Sequence, residues 1–212
     1  FTSLFAGLSS STALTLHFAR QASKNPELNA QFATGILIAC GTMFPRILIY
    51  CMVINRDLLP SLIWPVVVMT SLLYGPALII WRRHNRQSEV SQPPLNQNPL
   101  DLTSALVFGV LLTAILLLGE FLGNWLGDAG IYVLAATSGI ADVDAITLSL
   151  TRMSNNDLAM TTAVVGIVIA AATNNLVKSA LAGFVGNRQT GLLVGGPMVL
   201  SLAAGLLVAW LQ

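Results

Sequence analysis

Residues 129–151 read AGIYVLAATSGIADVDAITLSLT, an apolar run interrupted past its middle by Asp142 and Asp144. A helix of about 20 residues crosses the ~30 Å hydrocarbon core of a bilayer, so the run has spanning length. An acidic side chain at that depth costs on the order of 2.5–3.5 kcal/mol. Two of them demand compensation or function. Outward from this stretch, six more apolar runs follow the same pattern, at roughly 1–19, 29–53, 58–81, 101–125, 159–184 and 188–211. They predict an all-α polytopic membrane protein of about seven helical segments. Composition agrees: 55% of residues are hydrophobic and 9% charged, against about 25% charged in a soluble domain. A net charge of +1 gives no footprint for nucleic acid.

Cys40 and Cys51 fall on one expected helix, about 16 Å apart at ~1.5 Å per residue. They cannot pair within it, and no metal-binding cysteine spacing is present. The chain starts at Phe1 without a basic leader or a small-residue cleavage site, so no signal peptide is expected. It reads as part of a longer protein.

The segment 82–100, centred on RRHNRQSEVSQPPLNQNP, is the one sizeable polar linker. It divides the chain into 1–81, with three membrane segments, and 101–212, with four. If all seven segments cross, Arg20, Lys24, Arg82, Arg83, Arg86 and Arg152 share one side, and Arg56 and Arg188 the other. The excess of basic residues places the linker and the C-terminus in the cytoplasm, as expected for a multi-pass protein of the bacterial inner membrane. Trp81, Trp125, Trp210 and Tyr132 then lie at interfaces, which suits amphipathic rings. Gly119, Gly123 and Gly127 form one small-residue stripe and Gly191 with Gly195 another. Such stripes allow close helix packing. A homo-oligomer contact is the alternative to packing within the bundle.

The two halves repeat each other. Residues 6–20, AGLSSSTALTLHFAR, align without gaps to 138–152, SGIADVDAITLSLTR, with Gly7/Gly139, Ala13/Ala145, Thr15/Thr147, Leu16/Leu148 and Arg20/Arg152 identical. Residues 35–42, GILIACGT, align to 166–173, GIVIAAAT, with five identities in eight. Both motifs run toward the same expected side, so the repeats are expected to be parallel; were one segment re-entrant and not spanning, they would be inverted. The second copy has a helix before its motif and the first has none, so the first repeat is expected to lack its first helix. Repeats of this kind are common in transporters, whose sites lie near the midplane.

The alignment pairs Ser10 with Asp142 and Thr12 with Asp144. Gly7 and Gly139 stand three residues earlier, and glycine tolerates irregular backbone, so a break is expected in both helices. Broken helices at membrane depth must line a cavity or a site. The following spans add Thr42 in the first copy and Thr173, Asn174, Asn175 and Lys178 in the second. If the copies face each other, Asp142, Asp144, Ser10, Thr12, Thr173, Asn174, Asn175 and Lys178 form a candidate ion site. Hard cations favour such oxygen-rich shells, and a buried carboxylate could equally carry a proton. Asp142 and Asp144 are the tentative metal ligands, for a bound cation of unknown identity. The same groups could instead form ion pairs with Lys178 and Arg46 that fix the bundle and transport nothing. Glu120 reads as a vestibule residue, His17 as solvated or hydrogen-bonded, and Arg20 and Arg152 as snorkelling helix ends.

The phrases GLSSSTALTLHFAR, GIADVDAITLSLTRM and AAATNNLVKSALAG resemble an uncharacterised bacterial membrane domain at the C-terminus of MgtC/SapB-type proteins. The resemblance implies an MgtC-like helical domain ahead of this chain. It supplies no site residues, and the magnesium-related role of MgtC/SapB proteins does not carry over, because this stretch lies outside their MgtC-like part. The expected function is movement of a small cation, a proton or an ion-coupled solute across the bilayer. The alternative is a non-transporting regulatory or scaffold subunit. No enzyme is expected: the Asp pair lacks a catalytic Asp on a second helix, and no Ser–His or zinc constellation appears.

Overall fold

The computed structural model describes residues 2–84, 110, 113–114, 117–118, 121–122, 125–156 and 158–211, with side chains from Ser11 onward except that of His84. The expected span 101–125, most of the linker, Glu120 and the Gly119–Gly123 part of the glycine stripe lie largely or wholly outside these residues. Among the described residues there is no strand. The α-helices are α1 (Thr2–Lys24), α2 (Asn29–Gly41), α3 (Met43–Ile54), α4 (Leu59–His84), α5 (Asp128–Ala141), α6 (Val143–Met153), α7 (Met160–Leu181) and α8 (Arg188–Trp210). Single 3-10 turns, Pro26–Leu28 and Arg56–Leu58, open α2 and α4, and a π turn, Ala182–Gly186, closes α7.

Four stretches are long and apolar enough to cross a membrane: Pro26–Ile54, Arg56–Arg83, Met160–Gly186 and Arg188–Trp210. They match the expected spans at 29–53, 58–81, 159–184 and 188–211 to within three residues, and they suggest a multi-pass membrane protein. The surface is consistent with lipid contact, since Phe184, Trp210, Val53, Trp125 and Trp64 are all more than 60% exposed. A water-soluble protein rarely leaves so much large apolar surface uncovered. The kink between α2 and α3 has a local cause. Pro45, in the first turn of α3, has no N–H to offer the carbonyl four residues back, which is that of Gly41.

The chain forms two compact units, and neither is one continuous stretch. The first holds Phe1–Arg46, Val66–Leu95 and Asn175–Ala204, and the second Ile47–Pro65, Asn96–Asn174 and Gly205–Gln212. In the first unit α1 lies tightly on α2. A Cβ at Gly35 would stand 2.5 Å from the Phe18 ring, which also meets Phe32 with centroids 5.9 Å apart. The end of α7 touches α8 with equal closeness, since a Cβ at Gly191 would lie 2.6 Å from Gly183 Cα and one at Gly195 2.7 Å from Ser179 Oγ. The Gly191–Gly195 stripe therefore serves packing inside the unit.

Asn187 joins the ends of this unit. Its Oδ1 accepts from Thr190 N at 2.9 Å, capping α8, and its Nδ2 donates to Ala22 O and to Asn29 Oδ1, both at 2.8 Å. Asn29 passes the bond on to Gln189 Oε1 at 3.0 Å. Asn187→Ala removes the cap and leaves two part-buried acceptors unmatched. It should cost about 2 kcal/mol, read as a lowered melting temperature in detergent.

In the second unit Asn55 does the same work. Its side chain accepts from Asp57 N at 3.1 Å and donates to Ser154 Oγ at 2.9 Å. Cys51 Sγ lies 3.5 Å from Thr151 Oγ1, and Asn155 Nδ2 donates to Ile54 O at 3.3 Å. α7 meets α6 where a Cβ on Gly166 would touch Leu150 Cδ1 at 2.8 Å.

Candidate functional site

The run Ala141-Asp142-Val143-Asp144 interrupts its helix. Asp142 adopts extended backbone, φ −154° and ψ 127°, between the end of α5 and the start of α6. Its carboxylate accepts from Asp144 N at 2.9 Å. Aspartate has this capacity because its short side chain competes for nearby N–H groups, and that makes it a helix-starting residue. Asp144 then sits in the first turn of α6, where the helix dipole favours negative charge. Both carboxylates are half-buried.

The break leaves carbonyls at the end of α5 without partners in their own helix. One of them is recruited by a side chain from another helix: Asn174 Nδ2, on α7, donates to Gly139 O at 2.8 Å. The approach is possible because residue 139 is glycine. A Cβ there would stand 2.5 Å from Ala170 O and 2.8 Å from Ala170 Cα. The bond fixes the amide, because only its NH2 end can face a carbonyl. Asn174 Oδ1 is thereby turned elsewhere, is buried, and has no hydrogen-bond partner among the described residues. Thr147 Oγ1, one turn beyond Asp144 on α6, is in the same condition. The second unit thus contains a helix break, two carboxylates beside it and two unmatched neutral oxygens. Among the described residues, no three His, Cys, Asp or Glu side chains come together.

The first unit holds a different group. Lys178 Nζ, on α7 and 1% exposed, donates to Ser11 Oγ at 2.7 Å. Thr15 Oγ1 donates to Ser11 O at 2.8 Å and lies 3.8 Å from Cys40 Sγ. Asn175 is equally buried, and neither of its amide atoms has a hydrogen-bond partner among the described residues.

The expected site residues therefore divide. Asp142, Asp144, Thr173 and Asn174 belong to the second unit, while Ser10, Thr12, Asn175 and Lys178 belong to the first. Thr173 is half-buried. Two expectations about the first copy fail. Thr12 is exposed, and the buried hydroxyl that meets Lys178 is Ser11; the side chain of Ser10 lies outside the described residues. The helix break expected near Gly7 is also absent, since α1 runs unbroken from Thr2 to Lys24. Serine at position 10 lacks the carboxylate that holds Asp142 out of the helix. Hydroxyls can instead bond back within a continuous helix, as Thr15 does to Ser11 O. Thr147 could have been singled out from the sequence, because it is one of the repeat's identities. The significance of Gly139 as a contact with α7 depends on packing.

Over residues 1–186 the chain matches the family described as Domain of unknown function (DUF4010). An uncharacterized protein of Aquifex aeolicus (strain VF5) is 33% identical over 189 residues, which cover 89% of this chain and 82% of the relative. No solved structure matches. The resemblance holds for an uncharacterised domain, and neither match ties the chain to MgtC or SapB. With the family match covering all but the last helix, and a relative aligned along most of its own length, the chain belongs to the DUF4010 family.

Proposed function

We propose that the protein is an integral membrane transporter of a small cation or proton, alone or coupled to a solute, and that its ion site is the α5–α6 break. The observation that carries this reading is the break itself: a helix opened at Asp142, with the buried carbonyl of Gly139 held by Asn174. Discontinuous helices with carbonyl and N–H ends turned to one point are how secondary transporters build ion sites within a bilayer. Asp142 and Asp144 supply charge, and Asn174 orients the opened carbonyl end.

The duplicated architecture supports the same reading. Asn55 and Asn187, each followed by arginine, lie 132 residues apart, as do Gly7 and Gly139, and Pro65 and Pro197. Asn55 bonds residue 154, and Asn187 bonds residue 22, again 132 apart. Each copy's asparagine reaches the matching place in the other copy. On this reading the chain is two parallel repeats, with 1–81 and 101–212 joined by a cytoplasmic linker and the C-terminus on the cytoplasmic side of a bacterial inner membrane. A homo-oligomer remains part of the proposal.

The test is access. A cysteine introduced at the exposed Ala141, beside the break, should react with a membrane-impermeant thiol reagent added from either side of sealed vesicles. Reaction from neither side, together with no ion flux in proteoliposomes, would assign the protein to the scaffold class.

A further inference from the structure

The assignment of the α5–α6 break as an ion site leaves open which ion it takes, and two neutral oxygens bear on this. Several buried hydroxyls in this protein bond back to their own helix: Thr34 to Ala30 O at 2.8 Å, Ser149 to Ala145 O at 2.9 Å and Thr151 to Thr147 O at 2.7 Å. Thr147 does not, although it is fully buried and sits between hydroxyl residues that do. Asn174 Oδ1 likewise points away from the one bond that its amide makes. Leaving a buried acceptor unmatched costs about 1–3 kcal/mol each, so Asn174 Oδ1, whose amide is tied to the end of α5, and Thr147 Oγ1, one turn beyond Asp144 on α6, are acceptors in want of a donor or a cation. At the position of the first copy that matches Thr147 the hydroxyl is satisfied, Thr15 on Ser11 O.

We propose that this site takes a dehydrated monovalent alkali cation, coordinated by Thr147 Oγ1 and Asn174 Oδ1 together with the Asp142–Asp144 carboxylates. The inference rests on the ion-transport reading above and narrows it. A proton bound to one carboxylate would satisfy one acceptor and leave both neutral oxygens unmatched, whereas a metal cation accepts several lone pairs at once. A divalent ion fits poorly. Magnesium keeps its water in preference to a dry shell, and calcium sites collect more carboxylate charge than is gathered here.

The experiment uses the full chain in lipid nanodiscs, with NaCl or KCl substituted for choline chloride at fixed ionic strength and MgCl2 as the divalent comparison. The melting temperature should rise with at least one alkali cation at both acidic and neutral pH, and not with magnesium. Thr147→Val, nearly isosteric, should raise the half-stabilising concentration about tenfold, a loss of roughly 1.4 kcal/mol, and Thr147→Ser should recover most of it. Stability that follows pH but no alkali cation, or a cation response unchanged in Thr147→Val, would overturn the assignment even if flux still depends on Asp142. Alkali-cation stabilisation in a protein that passes no ion would support the site and sink transport alone.

Discussion

Alanine at position 139 should destabilise the protein by about 3 kcal/mol, despite being the smallest change available. The new Cβ would lie 2.5 Å from Ala170 O and 2.8 Å from Ala170 Cα. These are backbone atoms, and no rotamer change can clear them. Relief requires α5 and α7 to separate, which also draws Asn174 away from Gly139 O and returns a buried carbonyl to an unmatched state. A control comes from Gly75, in α4, where a Cβ meets nothing within 4 Å. Gly75→Ala should be neutral or stabilising by up to about 1 kcal/mol, since alanine is the better helix former. Denaturant unfolding of both variants against wild type checks the pair. Equal, small effects would mean that α5 and α7 do not pack as described.

Asp142→Asn should leave the fold nearly intact and remove ion-dependent behaviour. Asparagine caps a helix about as well as aspartate, and its side-chain oxygen can keep the bond to Asp144 N. The substitution therefore deletes charge while retaining the break. Stability without added ions should stay within about 0.5 kcal/mol of wild type. Ion-dependent stabilisation and flux should fall by about a hundredfold or more, because a buried cation loses a full countercharge. Asp142→Ala, which removes cap and charge together, should lose about 1 kcal/mol of stability in addition. Melting curves and flux measured on the same preparations separate the two effects. Unchanged flux in Asp142→Asn would reject the site.

The helices were legible in the sequence because the signal for them is additive. A run such as 188–211 carries its spanning character in total hydropathy, and no single residue decides it. The break at Asp142 was expected from Gly139, yet Gly7 precedes no break; what interrupts the helix is the capping carboxylate of Asp142, which Ser10 does not offer. The facing of α1 was not legible. Ser9, Ser10 and Ser11 are consecutive and chemically alike, and one position is a rotation of about 100° around a helix with 3.6 residues per turn. Packing of Phe18 on α2 sets that rotation, and it selects Ser11 as the partner of Lys178. Thr12 turns outward for the same reason. The gathering of site residues into two groups was equally hidden, because it depends on where the helices pass from one compact unit to the other.

The composition of those units bears on how the protein is made. The first contains residues up to Arg46 and needs Asn175–Ala204 to be whole. A ribosome adding about 5–20 residues per second takes on the order of ten seconds to cover the ~130 positions between them. For that interval α1 and α2 stand with Ser11 and Asn29 unmatched by their eventual partners Lys178, Asn187 and Gln189. Assembly of this unit therefore waits for the synthesis of α8. A chain halted short of α8 would be left with polar groups open to other proteins in the bilayer, and such products are natural targets for membrane quality control.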